Sequence, residues 1–414
     1  MLEQNRVEET LSILRRLETR FRQNPEILWL KARCEGIQGH YLLAIVSLND
    51  IIKIGLFNKE ISELNVRKEL ARIYELGGRT REALTEYYLL TEKEPDFYDG
   101  NLKIGRFHLE KKSYEEAEKF LKKAHLANRS EIEPPLLLAR LCHTRGDDLA
   151  GETYLSHVLL NSPKNEEALY LSGLVCIQKK DIDGAMAYFQ NVQQQNGPFR
   201  HRAMCKLALC ELSKGNDEQA YGLLETAVQA LPPKDETIRE ALTELIRLSI
   251  QMRRYRDLEG HMDHFLRNFP NDTVISGKKE HFKFITRMPE LRDFFSGDGK
   301  GIQARGKELF ERLEYQTEEA KLLSDDLLWF KVYKHQKGVQ KQYELFFVQI
   351  QGEQITKGQM IELTKWVKQE QVRALSVFTP FDFTPECYAY VKPMAVSLFN
   401  GERTQGLIRG TITL

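Results

Sequence analysis

The chain has 414 residues, 42% hydrophobic and 29% charged, with 60 basic and 60 acidic side chains. This composition excludes a disordered chain and provides for more than one domain or one long repeat array. A formal charge of zero gives no global field for nucleic acid or anionic lipid, and no apolar run is long enough to span a membrane.

The first residues, Met1 to Arg6, lack the apolar core of a signal peptide. Val7 to Asn24 reads as the second half of a helical hairpin, with Ile13, Leu17 and Phe21 on one face. A chain that opens in mid-hairpin raises the expectation of further sequence, an anchor included, before Met1. The six cysteines, Cys34, Cys142, Cys176, Cys205, Cys210 and Cys387, form no CxxC and have no histidine at zinc-finger spacing. Cys34, Cys142 and Cys176, late in first helices, read as small core residues of a reducing, cytoplasmic compartment, with a disulfide or metal role as the lesser alternative.

From about residue 26 to 272 one pattern recurs. A small residue in a first helix is followed by a turn, then by a second small residue in a second helix. The clearest copy is residues 97–131, with Gly105, Lys112, Ala117, Leu121 and Ala124. Earlier copies carry Ala32, Gly39 and Ala44, then Ala71, Gly78, Ala83 and Pro95. Later ones carry Ala139, Gly146, Gly151 and Pro163, then Gly173, Lys180, Ala185 and Phe189, then Ala208, Gly215, Ala220 and Pro232. A degraded copy follows with Ile246, Tyr255, Leu258, Phe265 and Pro270. Small residues let helices cross closely, glycine closes the first helix, and proline stops the second. Longer loops are expected around Gly55–Glu60 and Pro232–Asp235.

A step of about 34 residues with these positions resembles the tetratricopeptide repeat (TPR) family. Lys31 and Ser172 at a usually large apolar site, and Gly151 in place of alanine, depart from it. The resemblance implies an α-solenoid, a right-handed superhelix of about seven repeats, over 1–272. It also implies a concave groove for peptides or proteins and no catalytic centre.

In that register the residue after each small one faces the groove. Those residues are Arg33, Arg72, Arg106, Arg140, Leu174, Leu209 and Arg247, with Trp29 and Tyr170 near the same face. Arginine suits bidentate capture of carboxylates, so the expected occupant is an acidic or C-terminal peptide of another protein. The competing readings are that each arginine pairs with a neighbouring helix, with Glu75, Glu110 and Glu133 as partners, and that the two leucines are buried in the seam between helices.

Residues 273–303 read as a capping helix over about 275–300, with Phe282, Ile285, Leu291 and Phe295, and a glycine-rich linker. Residues 304–414 read as a small α/β domain with a mixed sheet, in the order α-β-β-β-α-β-α-β. Its strands are Tyr315–Leu322, Leu327–Lys334, Glu344–Gln351, Ala374–Phe378 and Ala395–Phe399. The layout, with Phe383-Thr384-Pro385-Glu386 and Ser397 to Glu402, is similar to the Mrr-type restriction-endonuclease-like fold. That family implies an Asp on one strand and Glu or Gln, one residue, then Lys on the next, for metal-dependent cleavage. Here Trp329 stands at the Asp position, Gln349 matches the Gln variant, and Gln351 replaces the Lys. An indole and an amide supply neither a magnesium ligand nor an ammonium, so the domain is expected to be an inactive docking module. Cleavage would need Asp325 or Asp326 as ligand and Lys331 or Lys357 in place of the missing lysine.

No P-loop, dinucleotide, nucleophile-elbow or zincin motif is present, and His261 and His264 flank Asp263 on what reads as a surface helix. The expected function is therefore a non-enzymatic scaffold without metal or cofactor. The alternatives are a TPR-linked nuclease acting on DNA and a structural subunit of a bacterial motility or envelope assembly.

Overall fold

The computed structural model describes residues 2–21, 23–59, 61–335 and 340–414, with side chains from Arg6 onward. They form two compact units, residues 1–199 and 200–414.

The first unit is helical: α1 (Leu2–Arg20), α2 (Pro25–Ile37), α3 (Tyr41–Ile54), α4 (Glu63–Leu76), α5 (Thr80–Lys93), α6 (Tyr98–Glu110), α7 (Tyr114–Ala127), α8 (Glu133–Thr144), α9 (Asp148–Asn161), α10 (Glu166–Gln178) and α11 (Ile182–Gln194). After α1 the helices pair in sequence as hairpins, α2 with α3 through α10 with α11. Helices α5 and α9 stop two residues before Pro95 and Pro163. The longer loop after α3 is held by Asn58, whose Oδ1 accepts from the Ile61 amide at 2.7 Å.

The hairpin turns follow from local backbone chemistry. Gly39, Gly78, Lys112, Gly146 and Lys180 have φ of 77, 73, 57, 76 and 60°. These positions lie 39, 34, 34 and 34 residues apart. After each, the next amide donates to the carbonyl five residues back. His40 donates to Glu35, Arg79 to Tyr74, Ser113 to His108, Asp147 to Cys142 and Asp181 to Cys176, at 2.8–3.0 Å. This is the Schellman closure of a helix. A lysine there carries a left-handed strain of about 1 kcal/mol that glycine does not. Lys180→Gly is therefore expected to stabilise the first unit by about 0.5 kcal/mol, raising its melting midpoint by roughly 1–2 °C. A lower midpoint would mean that the lysine side chain contributes more than the strain costs.

Small residues stand at the crossings. Ala32, Ala71, Ala83, Ala117 and Ala185 are fully buried. A Cβ added at Gly105 would lie 2.8 Å from the Leu121 side chain, and one at Gly173 would lie 2.5 Å from the Phe189 ring. Lys31, on the usually apolar site, instead pairs with Glu18 at 2.9 Å, and Ser172 is buried.

The face of α1 that carries Ile13, Leu17 and Phe21 is not the one that packs. The buried residues of α1 are Leu11 and Leu14, whereas Ile13, Leu17 and Phe21 are 58, 37 and 57% exposed. The two stripes lie on different sides of the helix because each residue advances by about 100°. The Glu18–Lys31 pair bridges α1 to α2 beside the buried side.

The second unit opens with two further hairpins, α12 (Arg200–Ser213) with α13 (Asp217–Ala230) and α14 (Ile238–Gln251) with α15 (Tyr255–Asn268). Gly215 and Arg253 close them with φ of 79 and 55°. The loop before α14 is pinned by buried Asp235. It accepts from the Thr237 hydroxyl at 2.6 Å and from Arg202 Nε at 2.7 Å.

The single helix expected over 275–300 is three: α16 (Thr273–His281), α17 (Lys283–Arg287) and α18 (Pro289–Phe295). Proline has no amide to donate, so Pro289 starts a helix rather than continuing one. The glycine-rich stretch is not a linker throughout. Asp298 accepts from the Gly301 amide at 2.8 Å and caps α19 (Gly299–Arg312).

Then follow β1 (Tyr315–Ser324), β2 (Leu327–Lys334), β3 (Tyr343–Gln349), α20 (Lys357–Gln369), β4 (Ala374–Phe378), α21 (Pro385–Val391), β5 (Val396–Phe399) and α22 (Gly401–Arg409). The sheet order is β1-β2-β3-β4-β5, antiparallel across the first three strands and parallel across the last three. Helix α22 was not expected: Asn400-Gly401 reads as a strand end, yet Asn400 Oδ1 accepts from the Arg403 amide at 3.2 Å and starts a helix.

Strand alternation divides the core. Trp329, Leu345, Phe347, Val377 and Leu398 pack with Met360 and Leu363 of α20 and Cys387 of α21. Phe330, Phe346, Val348, Phe378 and Phe399 face Phe310 of α19 and Leu407 of α22. This second face belongs to one continuous core that includes Leu245 and Ile246 of α14, Phe265 of α15 and Ile285, Leu291 and Phe295.

Candidate functional site

The arginines lie on the first helix of successive hairpins: Arg33 on α2, Arg72 on α4, Arg106 on α6 and Arg140 on α8. Each follows a residue locked into the helix crossing: Ala32, Ala71, Gly105 or Ala139, all buried. One step along a helix turns a side chain by about 100°, which carries the arginine out of the crossing. All four are exposed, and Arg72, Arg106 and Arg140 keep 50, 52 and 52% of their side-chain surface.

Their partners differ. Arg140 makes a bidentate pair with Glu167, Nε–Oε1 2.7 Å and Nη2–Oε2 2.8 Å. Arg106 reaches Glu133 at 3.1 Å. In both cases the carboxylate lies 27 residues on, in the first turn of the next first helix. Arg72 pairs within its own helix, with Glu69, at 2.9 Å through Nε. Arg33 joins no ion pair among the described residues. Hydrogen bonding to Glu167 and to Glu69 pushes the pKa of Arg140 and Arg72 up from the ordinary arginine value, so both stay charged. Of the other glutamates considered, Glu75 pairs with Lys103 at 2.9 Å, and Glu110 joins no ion pair among the described residues. Sequence reasoning had singled out Glu133 but not Glu167; the common spacing of 27 residues was the available signal.

The apolar positions behave differently. Trp29 is half-buried against a core of Leu28, Ala32 and Ala44. Tyr170 is buried, its ring 5.8 Å from Phe189 and 5.4 Å from Phe199. Leu174 is buried at the register where the four arginines are exposed. In the second unit, Leu209 is half-buried and Arg247 pairs with Glu244 of its own helix at 2.7 Å.

In the α/β domain, Trp329 is buried in the apolar face beside Trp366, with ring centroids 6.3 Å apart. Gln349 is buried and doubly bonded. It accepts from the Thr379 hydroxyl at 2.6 Å and donates to the Glu353 carbonyl at 3.0 Å. Gln351, Asp325, Asp326, Asp298, Glu218 and Arg253 line an open cavity of about 940 Å³. Arg253 spans it, donating to the carbonyls of Asp325 at 2.7 Å and Gly297 at 3.2 Å and approaching Gln351 Oε1 at 3.5 Å. Lys331 is engaged by Glu370 at 2.9 Å, and Lys357 lies over the Tyr390 ring. Among the described residues, no three His, Cys, Asp or Glu side chains gather as metal ligands. The row of arginines can hold carboxylates; the cavity presents exposed carboxylates around one arginine already bound to main chain.

Residues 98–130 match the family model described as tetratricopeptide repeat. Curated proteins give no match. Among solved structures, the C-terminal part of a TPR repeat-containing protein from Cytophaga hutchinsonii is 15% identical. That match covers 58% of this chain and 96% of the other, with a TM-score of 0.45. Pseudomonas aeruginosa pilF is 18% identical over 52% of this chain and 91% of its own, TM-score 0.39. YrrB, a TPR protein with an unusual peptide-binding site, is 20% identical over 43% and 89%, TM-score 0.38.

Proposed function

We propose that this TPR chain is a protein-binding scaffold. Its first unit takes an extended acidic or C-terminal segment along the face carrying Arg33, Arg72, Arg106 and Arg140. The observation that carries this reading is the placement of four exposed arginines after four buried small residues on successive first helices. Arg33, without an ion pair among the described residues, and Arg72, held only by its own helix, are the first contacts for an incoming carboxylate. Arg106 and Arg140 exchange Glu133 and Glu167 for partner carboxylates. Exposed ion pairs contribute about 1 kcal/mol or less, so the exchange costs little.

The α/β domain serves as a second docking surface on an inactive nuclease-like fold. Buried Trp329 and the satisfied amide of Gln349 support loss of the chemistry. No helix among the described residues is long and apolar enough to cross a membrane. The six free cysteines support a reducing, cytoplasmic setting.

The test is fluorescence anisotropy of the full chain against acidic peptides with a free C-terminal carboxylate. A charge-assisted hydrogen bond contributes about 1.5–3 kcal/mol, so Arg106→Glu/Arg140→Glu is expected to weaken binding roughly 100-fold. Equal binding by the variant would move the site off this face.

A further inference from the structure

We propose that the contact between His125 and His157 is a proton-sensitive joint, closed while both imidazoles are neutral and loosened when acid charges them. His125 lies on α7 and His157 on α9, the second helices of adjacent hairpins. Their rings meet edge to face, with centroids 4.8 Å apart and planes at 83°. Tyr154, one turn before His157, also closes on His125, with centroids 6.1 Å apart and planes at 81°. Edge-on contacts of this kind are favourable between neutral rings. Arg106 and Arg140 stand on the first helices of the same two hairpins, so the joint sets the spacing between them whatever they bind.

Both rings are half-buried, but their Nδ1 atoms are enclosed and have no hydrogen-bond partner. The proton of each neutral ring therefore sits on Nε2, and Nδ1 keeps a lone pair. Protonation adds an N–H at Nδ1 where no acceptor waits, and a second proton sets two like charges one ring contact apart. Neither imidazole joins an ion pair among the described residues. The groups around the contact do not favour its charge. Arg129, just beyond α7, is itself a cation. Beside Tyr154 of α9 lie Cys142 of α8 and Lys122 and Glu118 of α7. Glu118 is already held by Lys122 and Arg145, each at 2.6 Å. Burial, and after it the neighbouring His157 and Arg129, holds the His125 imidazole below its ordinary value. The unfolded chain then takes up its proton first as the pH drops. The stability from this contact is complete above the ordinary imidazole value and is lost as the pH falls from there through the lower value of the folded chain.

The experiment has two readouts on the full chain. The first is an NMR titration of the imidazole signals from about pH 8 to about pH 5, assigned with His125→Gln and His157→Gln. The two rings are expected to titrate as a coupled pair, and His157→Gln should raise the midpoint of His125 toward the ordinary value. The second is amide exchange in α7 and α9, expressed as protection relative to the free peptide rate. In the natural chain, protection should fall about threefold or more between about pH 7.5 and about pH 5. In His157→Phe, which keeps an edge-on ring without a basic nitrogen, it should hold; His157→Gln replaces that variant if the larger ring disturbs the fold. His143, paired with Asp148 at 2.6 Å, and His108, with Nε2 2.6 Å from the Tyr88 hydroxyl, remain in every variant and cancel in the comparison. A His125 midpoint indifferent to His157→Gln would overturn the proposal. So would a loss of protection in acid that is equal in the natural chain and in the variant at His157.

Discussion

Gly173→Leu is expected to destabilise the first unit by about 3 kcal/mol, lowering its thermal midpoint by roughly 10 °C. The reason is the crossing of α10 and α11. The position of a Cβ at Gly173 lies 2.5, 2.7 and 2.9 Å from three atoms of the Phe189 ring. That ring is fully buried and also meets Tyr170, with centroids 5.8 Å apart. A rigid ring cannot yield to four added carbons as a flexible side chain would, so the helices must separate. The reciprocal change, Phe189→Ala, leaves a void and is expected to cost a similar amount, about 3–5 kcal/mol. Gly173→Ala/Phe189→Leu should recover part of the loss, since the smaller side chain gives the methyl room. Melting followed by circular dichroism checks all three. A midpoint unchanged by Gly173→Leu would show that the ring is not wedged at this crossing.

Phe346→Ala is expected to have the largest effect on the second unit, about 3–5 kcal/mol. Phe346 is fully buried on β3, its ring 4.8 Å from Phe310, 5.0 Å from Tyr315 and 5.4 Å from Phe378. Edge-on aromatic pairs add about 0.5–1.5 kcal/mol each to plain burial, so truncation loses specific contacts as well as area. A domain of this kind is stable by only about 5–15 kcal/mol, which makes the loss a large fraction of the whole. Where the loss spreads is the sharper test. The core containing Phe346 continues through Phe295 and Phe265 to Leu245 and Ile246 of α14. Hydrogen exchange should therefore show the α14 amides losing protection together with those of the sheet. Retained protection in α12 to α15, with loss confined to residues beyond 272, would place the cooperative boundary at the end of the repeats instead.

The scaffold reading depends on the same crossings. Gly105, with its Cβ position 2.8 Å from Leu121, precedes Arg106, and Ala139 precedes Arg140. The small residue holds the helix at close approach, and its neighbour is thereby carried to the surface. Packing and presentation are thus two consequences of one position. If the proposed acidic partner binds there, its carboxylates meet side chains whose backbone is fixed beforehand, which limits the ordering cost of recognition.

The sequence by itself determined the local architecture. It located the turns at Gly39, Gly78, Lys112, Gly146 and Lys180, the prolines that stop second helices, and the strand and helix order from α19 to β5. These features are legible because each is decided within a few residues. A left-handed turn wants glycine, a helix cannot pass proline, and side chains alternate along a strand. Tertiary structure alone decided which stripe of α1 is buried and that Tyr170 and Leu174 turn inward. It also decided that Arg140 closes on Glu167 and that the sheet and α14 share one core. Ile13 and Leu14 are equally apolar and adjacent, so composition and period do not rank them. What separates them is the neighbouring helix, and that neighbour is fixed only when the chain packs.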